Sequence, residues 1–150
     1  MESYALLLGS TLSAGTVLAI AALGLLINEK SGIVNLGAEG MMLCAAIAAF
    51  ATVVHTGSFA LGLLAGMAAG ALLAALFGWL VIWLNTNQYA TGLALSLFGV
   101  GFSAFVGISY VQAKLPDTPK FSWPVLGDLP VVGQALFRHH PLVYLTMVLV

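Results

Sequence analysis

Four long apolar segments, separated by short polar turns, constrain this chain more than any other feature of its sequence. No aspartate, glutamate, lysine or arginine occurs between Gly40 and Ala113. Hydrophobic residues make up 61% of the chain and charged residues 6%, whereas soluble domains have about 45–50% and about 25%. Apolar runs of this length are typical of transmembrane helices. The sequence therefore predicts an all-α fold, a polytopic transmembrane helical bundle that occupies residues 1–150 as a single domain.

The apolar runs indicate four complete spans and the start of a fifth. We expect these spans at residues 4–27, 35–54, 59–84, 89–111 and 141–150. The last is truncated, because a helix of ten residues is too short to cross a bilayer that needs about 20. The segment 112–140 contains four of the five prolines and is expected to be a loop outside the membrane.

The second span is unusual because its uninterrupted apolar core is short. The fifteen residues from Gly40 to Val54 extend over only about 22 Å as a helix, against a bilayer core of roughly 30 Å. The helix must therefore begin near Asn35, which is a good N-cap, and this start brings Glu39 to the membrane edge. A short helix that needs cover is expected in the middle of a bundle.

Small residues recur at helical spacing on three of the spans. Lipid provides no hydrophobic drive for helices to associate, so small faces are needed to let backbones approach closely. The expected packing positions are Gly40, Cys44, Ala48 and Thr52 on the second span, Gly62, Gly66, Gly70 and Gly78 on the third, and Gly99, Ser103 and Gly107 on the fourth.

Residues 28–42 form a polar insert with the sequence Asn-Glu-Lys-Ser-Gly-Ile-Val-Asn-Leu-Gly-Ala-Glu-Gly-Met-Met. This insert closely resembles the segment that joins the first two helices in permease subunits of bacterial ABC importers. The resemblance is to the simple-sugar and nucleoside branch of the branched-chain-permease-like superfamily. Residues 87–99 are similar to a second segment of that family, and residues 126–133 resemble its external loop. A match over about fifteen positions is far more specific than a lone glycine motif.

The resemblance implies a function and a set of partners. It implies the N-terminal half of a permease subunit that forms the path for nucleosides or simple sugars by alternating access, in the bacterial plasma (inner) membrane. The implied partners are a cytoplasmic ATPase subunit, a second permease subunit, homologous or identical, an extracytoplasmic substrate-binding protein and the lipid bilayer. Candidate coupling or path residues are Asn35, Glu39, Asn87, Gln88 and Thr91.

Each of these polar residues also has an ordinary structural interpretation. Asn35 and the polar turn at residues 85–88 are suited to capping helices. The hydroxyls of Thr91 and Ser96 are able to bond back to carbonyls four residues earlier in their own helix. Both interpretations stay open at the level of the sequence.

Several other functions are disfavoured by what the sequence lacks. The chain has no Gly-Lys pair of a phosphate-binding loop and no Ser-His-Asp or Cys-His grouping, so we expect no enzymatic activity and no cofactor, with ATP hydrolysis in a separate subunit. There is no basic patch for nucleic acid. The pair His139 and His140 has no third ligand near it in sequence, which disfavours a metal site. The alternative function is a small helical membrane scaffold or a passive channel.

The distribution of basic residues and the family resemblance predict opposite orientations of the chain in the membrane. Three basic residues follow the fourth span, whereas Lys30 alone follows the first, so the positive-inside rule places the long loop in the cytoplasm. The resemblance implies that this loop and the N-terminus are outside. We follow the resemblance and expect Lys30 inside and Lys114 and Lys120 outside.

Overall fold

The computed structural model describes residues 2–115, and in that part of the chain every regular element is helical. Helix α1 spans Glu2–Lys30, α2 spans Ala38–Thr56 and α3 spans Phe59–Gly78. A π-helical segment, Trp79–Trp83, continues α3. Helix α4 spans Gln88–Gly107 and ends in a 3₁₀ turn, Ile108–Tyr110. Four helices are long and apolar enough to cross a membrane, so the all-α transmembrane fold is confirmed.

The expected fifth span and most of the expected external loop lie outside the described residues. This applies to residues 116–150, and therefore to Lys120, to the segment 126–133 and to the pair His139 and His140. Within the described part, the end of the first span and the start of the second each differ from the expected boundary by three residues, since α1 ends at Lys30. Helix α2 begins at Ala38 rather than near Asn35.

The chain divides into two compact units, which are described separately. The first contains residues 1–27 and 119–150, and the second contains residues 28–118. The described part of the first unit is the apolar length of α1. Two of its hydroxyls bond within the helix, since Thr11 Oγ1 donates to the Leu7 carbonyl and Thr16 Oγ1 to the Leu12 carbonyl, both at 2.8 Å. Such bonds suit a helix that has no water along its sides.

The second unit is a three-helix arrangement in which α2 is central. It packs extensively against both α3 and α4, which contact each other far less. Helix α3 runs antiparallel to α2, because Gly62 lies beside Val53 and Gly66 beside Ala45 and Ala49. Helix α4 runs parallel to α2. Gly99 packs against Gly40 near the start of α2, and His55 Nε2 lies 2.9 Å from Tyr110 Oη near its end.

One small apolar core joins the three helices. Met41 of α2, Phe77 of α3 and Leu95 of α4 are all buried and form a cluster, with Ile33, Leu73 and Val81 packed around it. The central position that the short second span predicts is therefore found within this unit. Many large apolar side chains elsewhere on the three helices are exposed, as expected where lipid is the solvent.

Local signals set the helix ends. Gly57 follows α2 with φ of +68°, and its N–H donates to the Val53 carbonyl at 2.8 Å. The Ser58 hydroxyl caps α3 by accepting from the Leu61 N–H. Asn87 caps α4, since its side-chain oxygen accepts from the N–H groups of Tyr89 and Ala90 at 2.9 and 3.2 Å. Side-chain oxygens at such positions satisfy helix donors that have no partner within the helix.

Candidate functional site at the start of the second helix

The connection from α1 to α2 begins with a tight reversal. Gly32 has φ of +83°, a conformation that favours glycine. Its N–H donates to the Glu29 carbonyl at 3.0 Å, and the Ile33 N–H donates to the Asn28 carbonyl at 3.1 Å. These two bonds are those of a Schellman motif, which ends a helix and satisfies its last carbonyls. Gly32 therefore has a clear structural role at the end of α1.

After this reversal, residues 33–37 run along the first turns of α4. The Val34 N–H donates to Gln88 Oε1 at 3.0 Å. The Ser96 hydroxyl donates to the Leu36 carbonyl at 2.9 Å. Residues 54 and 60 positions away in sequence thus satisfy two backbone groups of this connection, and α4 holds it in place.

Asn35 is buried, with 9% of its surface exposed. Its Oδ1 accepts from the Gly37 N–H at 2.9 Å, and its Nδ2 lies 3.7 Å from Met41 Sδ. The residue at the N-cap position is Gly37, which supplies no side-chain cap. The interpretation of Asn35 as the N-cap of the second helix therefore needs correction: its side chain shapes the turn that precedes the helix.

Glycines let this connection approach α4 as closely as backbones can. A Cβ added to Gly92 would lie 2.9 Å from the Leu36 nitrogen and 3.0 Å from the Gly37 nitrogen. A Cβ on Gly40 would lie 2.6 Å from Ser96 Cα, and one on Gly99 would overlap the backbone of Gly40. Real side chains do not fit at such distances, so these glycines are required by the packing.

The remaining candidate residues lie at the same end of the unit. Glu39 is exposed in the first turn of α2 and has no partner among the described residues. Asn87 is the N-cap of α4. Thr91 Oγ1 lies 2.9 Å from Thr86 Oγ1, whose hydroxyl also donates to the Leu80 carbonyl. The structure brings Asn35 and Gln88 together around one connection, and it leaves Glu39 free beside it.

The expected packing positions divide into four groups. Gly40 and Gly99 meet each other, whereas Gly62, Gly66 and Gly70 face the Ala45, Ala49 and Val53 side of α2. Cys44 is buried, and Ala48, Thr52 and Ser103 are half-buried. A Cβ on Gly107 would meet nothing within 4 Å in the described part of the chain, and one on Gly78 would meet only Ile82 at 4.0 Å. These last two glycines are not at a helix contact here.

Sequence reasoning missed three residues of this site, Gly37, Gly92 and Ser96. For Ser96 it offered a bond to the carbonyl four residues earlier, whereas the hydroxyl reaches the Leu36 carbonyl of a distant segment. The spacing of Gly92, Ser96 and Gly99 along one face of α4 was the available signal. Within residues 2–115 no group of three His, Cys, Asp or Glu side chains could hold a metal ion.

Comparisons with known proteins agree with the permease resemblance of residues 28–42 and with the transmembrane helical fold. Residues 7–150 match the family model described as the permease component of the branched-chain amino acid transport system. A Haloferax volcanii protein, TsgC13, provisionally named as a glucose ABC transporter permease, is 41% identical over 154 residues, covering 100% of this chain and 47% of its own length.

Two further relatives are named for nucleosides. The guanosine ABC transporter permease protein NupQ of Bacillus subtilis is 33% identical over 99% of this chain and 49% of its own length. The nucleoside ABC transporter permease protein NupC of Lactococcus lactis is 27% identical over 91% of this chain. This chain thus spans about half the length of the relatives that it matches. No solved structure matches it significantly. The chain is a multi-pass membrane protein that belongs to the permease family of branched-chain amino acid transport systems.

Proposed function

We propose that this chain is part of the permease subunit of an ATP-binding-cassette importer and that it forms part of the path for nucleosides or simple sugars. The observation that carries the proposal is the family match over residues 7–150. The names of the relatives, which refer to glucose, guanosine and nucleosides, supply the two substrate classes.

The mechanism that suits such a subunit is alternating access. Transporters place substrate where short or interrupted helices meet, and α2 is short, central and begins in a connection held by another helix. A path of this kind has two conformational states, each open to one side of the membrane. Their populations shift with the nucleotide state of the partners. The partners would be a cytoplasmic ATPase subunit, a second permease subunit and an extracytoplasmic substrate-binding protein, all at the cell membrane. The permease itself would bind no cofactor, and ATP would be hydrolysed by the ATPase subunit.

The test is transport by the intact permease, assembled with its ATPase in lipid vesicles together with its binding protein. We expect ATP-dependent uptake of either a radiolabelled nucleoside or radiolabelled glucose, and none when the ATPase is inactivated. Uptake that continues without ATP would indicate a passive channel. An intact permease that neither transports nor stimulates its ATPase would indicate a scaffold.

Glu39 is the residue that we propose for coupling within this function. It is exposed and unpartnered at the start of the central helix, so its carboxylate is available to a group outside the described residues. We expect Glu39→Gln to lower uptake per ATP hydrolysed at matched protein level. Glu29→Gln, at the end of α1, is the control. Equal uptake in the two variants and the wild type would leave Glu39 with a local role at the helix start.

A further inference from the structure

Helix α2 starts deeper along the bundle than α4 does. Since the two helices are parallel, positions on α4 measure the depth of α2. A Cβ on Gly37 would lie 3.1 Å from the Gly92 carbonyl oxygen and 3.2 Å from Leu95 Cβ, and Gly40 packs on Leu95 and Ser96. Ser96 lies seven residues beyond Tyr89, which is about 10 Å along the helix axis. The first turn of α2, with Glu39, is therefore level with the third turn of α4.

Exposed aromatic side chains mark where this end of the unit meets the membrane surface. Trp79 and Trp83 lie in the last turns of the third span and are 53% and 78% exposed, and Tyr89, in the first turn of α4, is 50% exposed. The polar residues 85–87 lie between them. Tryptophan and tyrosine collect at the membrane–water boundary. The first turn of α2 consequently lies on the hydrocarbon side of that boundary.

Polar groups at this depth need a partner other than lipid. The Glu39 carboxylate is exposed and has no partner among the described residues. The N–H groups of Ala38, Glu39 and Gly40 lie ahead of the first intrahelical bond, which runs from Met41 to the Gly37 carbonyl, and no side chain caps them. Non-helical backbone and ionised groups are tolerated within a membrane only inside protein or beside water.

We infer that residues 36–39, which lead into α2 below the membrane surface, line a water-filled recess that is open at the Trp83 end and reaches about 10 Å below the aromatic boundary. Water in this recess solvates the Glu39 carboxylate and the uncapped N–H groups. The recess itself requires only that the chain spans a membrane. Its assignment as one mouth of the substrate path rests on the proposed function.

Thiol accessibility in the intact permease tests the recess. In a Cys44→Ala background, single cysteines replace Glu39, Leu97 or Asn87, and membranes open at the Lys30 side are treated with a charged, membrane-impermeant methanethiosulfonate. Leu97 is the matched control, since it is next to Ser96 at the depth of Glu39 and is 74% exposed on the outer side of α4. Asn87, in the exposed turn, is the positive control.

We expect Glu39→Cys to react at least about tenfold faster than Leu97→Cys, because the reactive thiolate forms only where water is present. If neither Glu39→Cys nor Leu97→Cys reacts, the recess is overturned. If both react as fast as Asn87→Cys, the placement of these residues below the membrane surface is overturned. If Glu39→Cys is not assembled, Leu36→Cys, which is 43% exposed in the same segment, takes its place. Labelling does not require transport. A reactive Glu39→Cys, together with an unsubstituted permease that carries no substrate, would therefore retain the recess and reject the function.

Discussion

The two faces of α2 are packed by different means, although glycines are prominent on both. Toward α3, glycines receive mainly side chains: Gly62 lies against Val53, Gly66 against Ala49 and Gly70 against Ala45. Backbone also takes part, since the Ala49 and Ala45 carbonyl oxygens would lie 3.1 Å from a Cβ on Gly62 and on Gly66. Toward α4, glycines let backbone meet backbone, as Gly40 does with Gly99 and as Gly37 does with Gly92. Two hydrogen bonds secure that second face: Gln88 Oε1 accepts from the Val34 N–H, and the Ser96 hydroxyl donates to the Leu36 carbonyl. The same spacing of small residues thus produces one contact in which a side chain, Val53, can change its rotamer, and one made mainly by backbone atoms.

The largest effect is expected from Gly99→Ala. The added methyl group would overlap the backbone of Gly40, and two helix backbones cannot separate without losing the hydrogen bonds around residues 34–37. We expect a loss of about 3 kcal/mol or more, at the upper end of overpacking effects. The measurement is the thermal midpoint of the intact permease in detergent. Gly101→Ala is the control on the same helix, since a Cβ there meets nothing within 4 Å in the described part of the chain.

A smaller and repairable effect is expected from Gly62→Ala on the other face. Here the added methyl group overlaps Val53 Cγ2, so the neighbour is a side chain, and we expect a loss of about 1–2 kcal/mol. Combining it with Val53→Ala removes the overlap, so the double variant should be more stable than additivity predicts. Additive losses would show that the α3 face is as unyielding as the α4 face, which would break the comparison.

Removal of one hydrogen bond on the α4 face is expected to cost about 1 kcal/mol, the typical net value. Ser96→Ala deletes the donor to the Leu36 carbonyl and leaves the glycine contacts intact. Ser103→Ala, at a half-buried position two turns later, is the control because its hydroxyl has no partner among the described residues. Equal thermal midpoints for the two variants would mean that the connection is held by glycine packing alone.

The smallest effect is expected from Gly70→Ala. A Cβ there would lie 3.7 Å from Ala45 Cβ, an ordinary van der Waals contact. We expect a change of no more than about 0.5 kcal/mol, since a favourable contact and the better helix propensity of alanine oppose slight crowding. A midpoint that falls as far as in Gly62→Ala would indicate a closer approach of α2 and α3 than the structure has.

The four complete spans and the shortness of the second one were predictable because hydropathy is a local property of the chain. The Schellman glycine at position 32 and the cap at Asn87 are equally local. The partner of each small face was not predictable: α3 meets the Ala45, Ala49 and Val53 side of α2, not the side on which Gly40, Cys44, Ala48 and Thr52 repeat. Gly78 and Gly107 have the same spacing as the packed glycines and meet no neighbouring helix in the described part.

The route of the connection before α2 was hidden for the same reason. Asparagine is common both at helix N-caps and in turns. Nothing in the local sequence shows that Asn35 lies in the turn before α2 rather than at its N-cap. Gln88 and Ser96 act on backbone groups that are 54 and 60 residues away, and such pairs appear only once α2 and α4 are known to be parallel. The roles proposed for Asn35, Glu39, Asn87, Gln88 and Thr91 in transport stay predictions.

The π-helical segment at the end of α3 determines how the turn that follows it is rotated about the helix axis. The Leu84 N–H donates to the Trp79 carbonyl, five residues back, and so leaves the Leu80 carbonyl without its usual helical partner. Both the N–H and the hydroxyl of Thr86 donate to that carbonyl, at 3.2 and 2.9 Å. Deleting one residue from Trp79–Trp83 would restore ordinary helix and rotate everything beyond it by about 100°. Thr86 would then turn away from Leu80, so the length of this segment is as constrained as the identity of its residues.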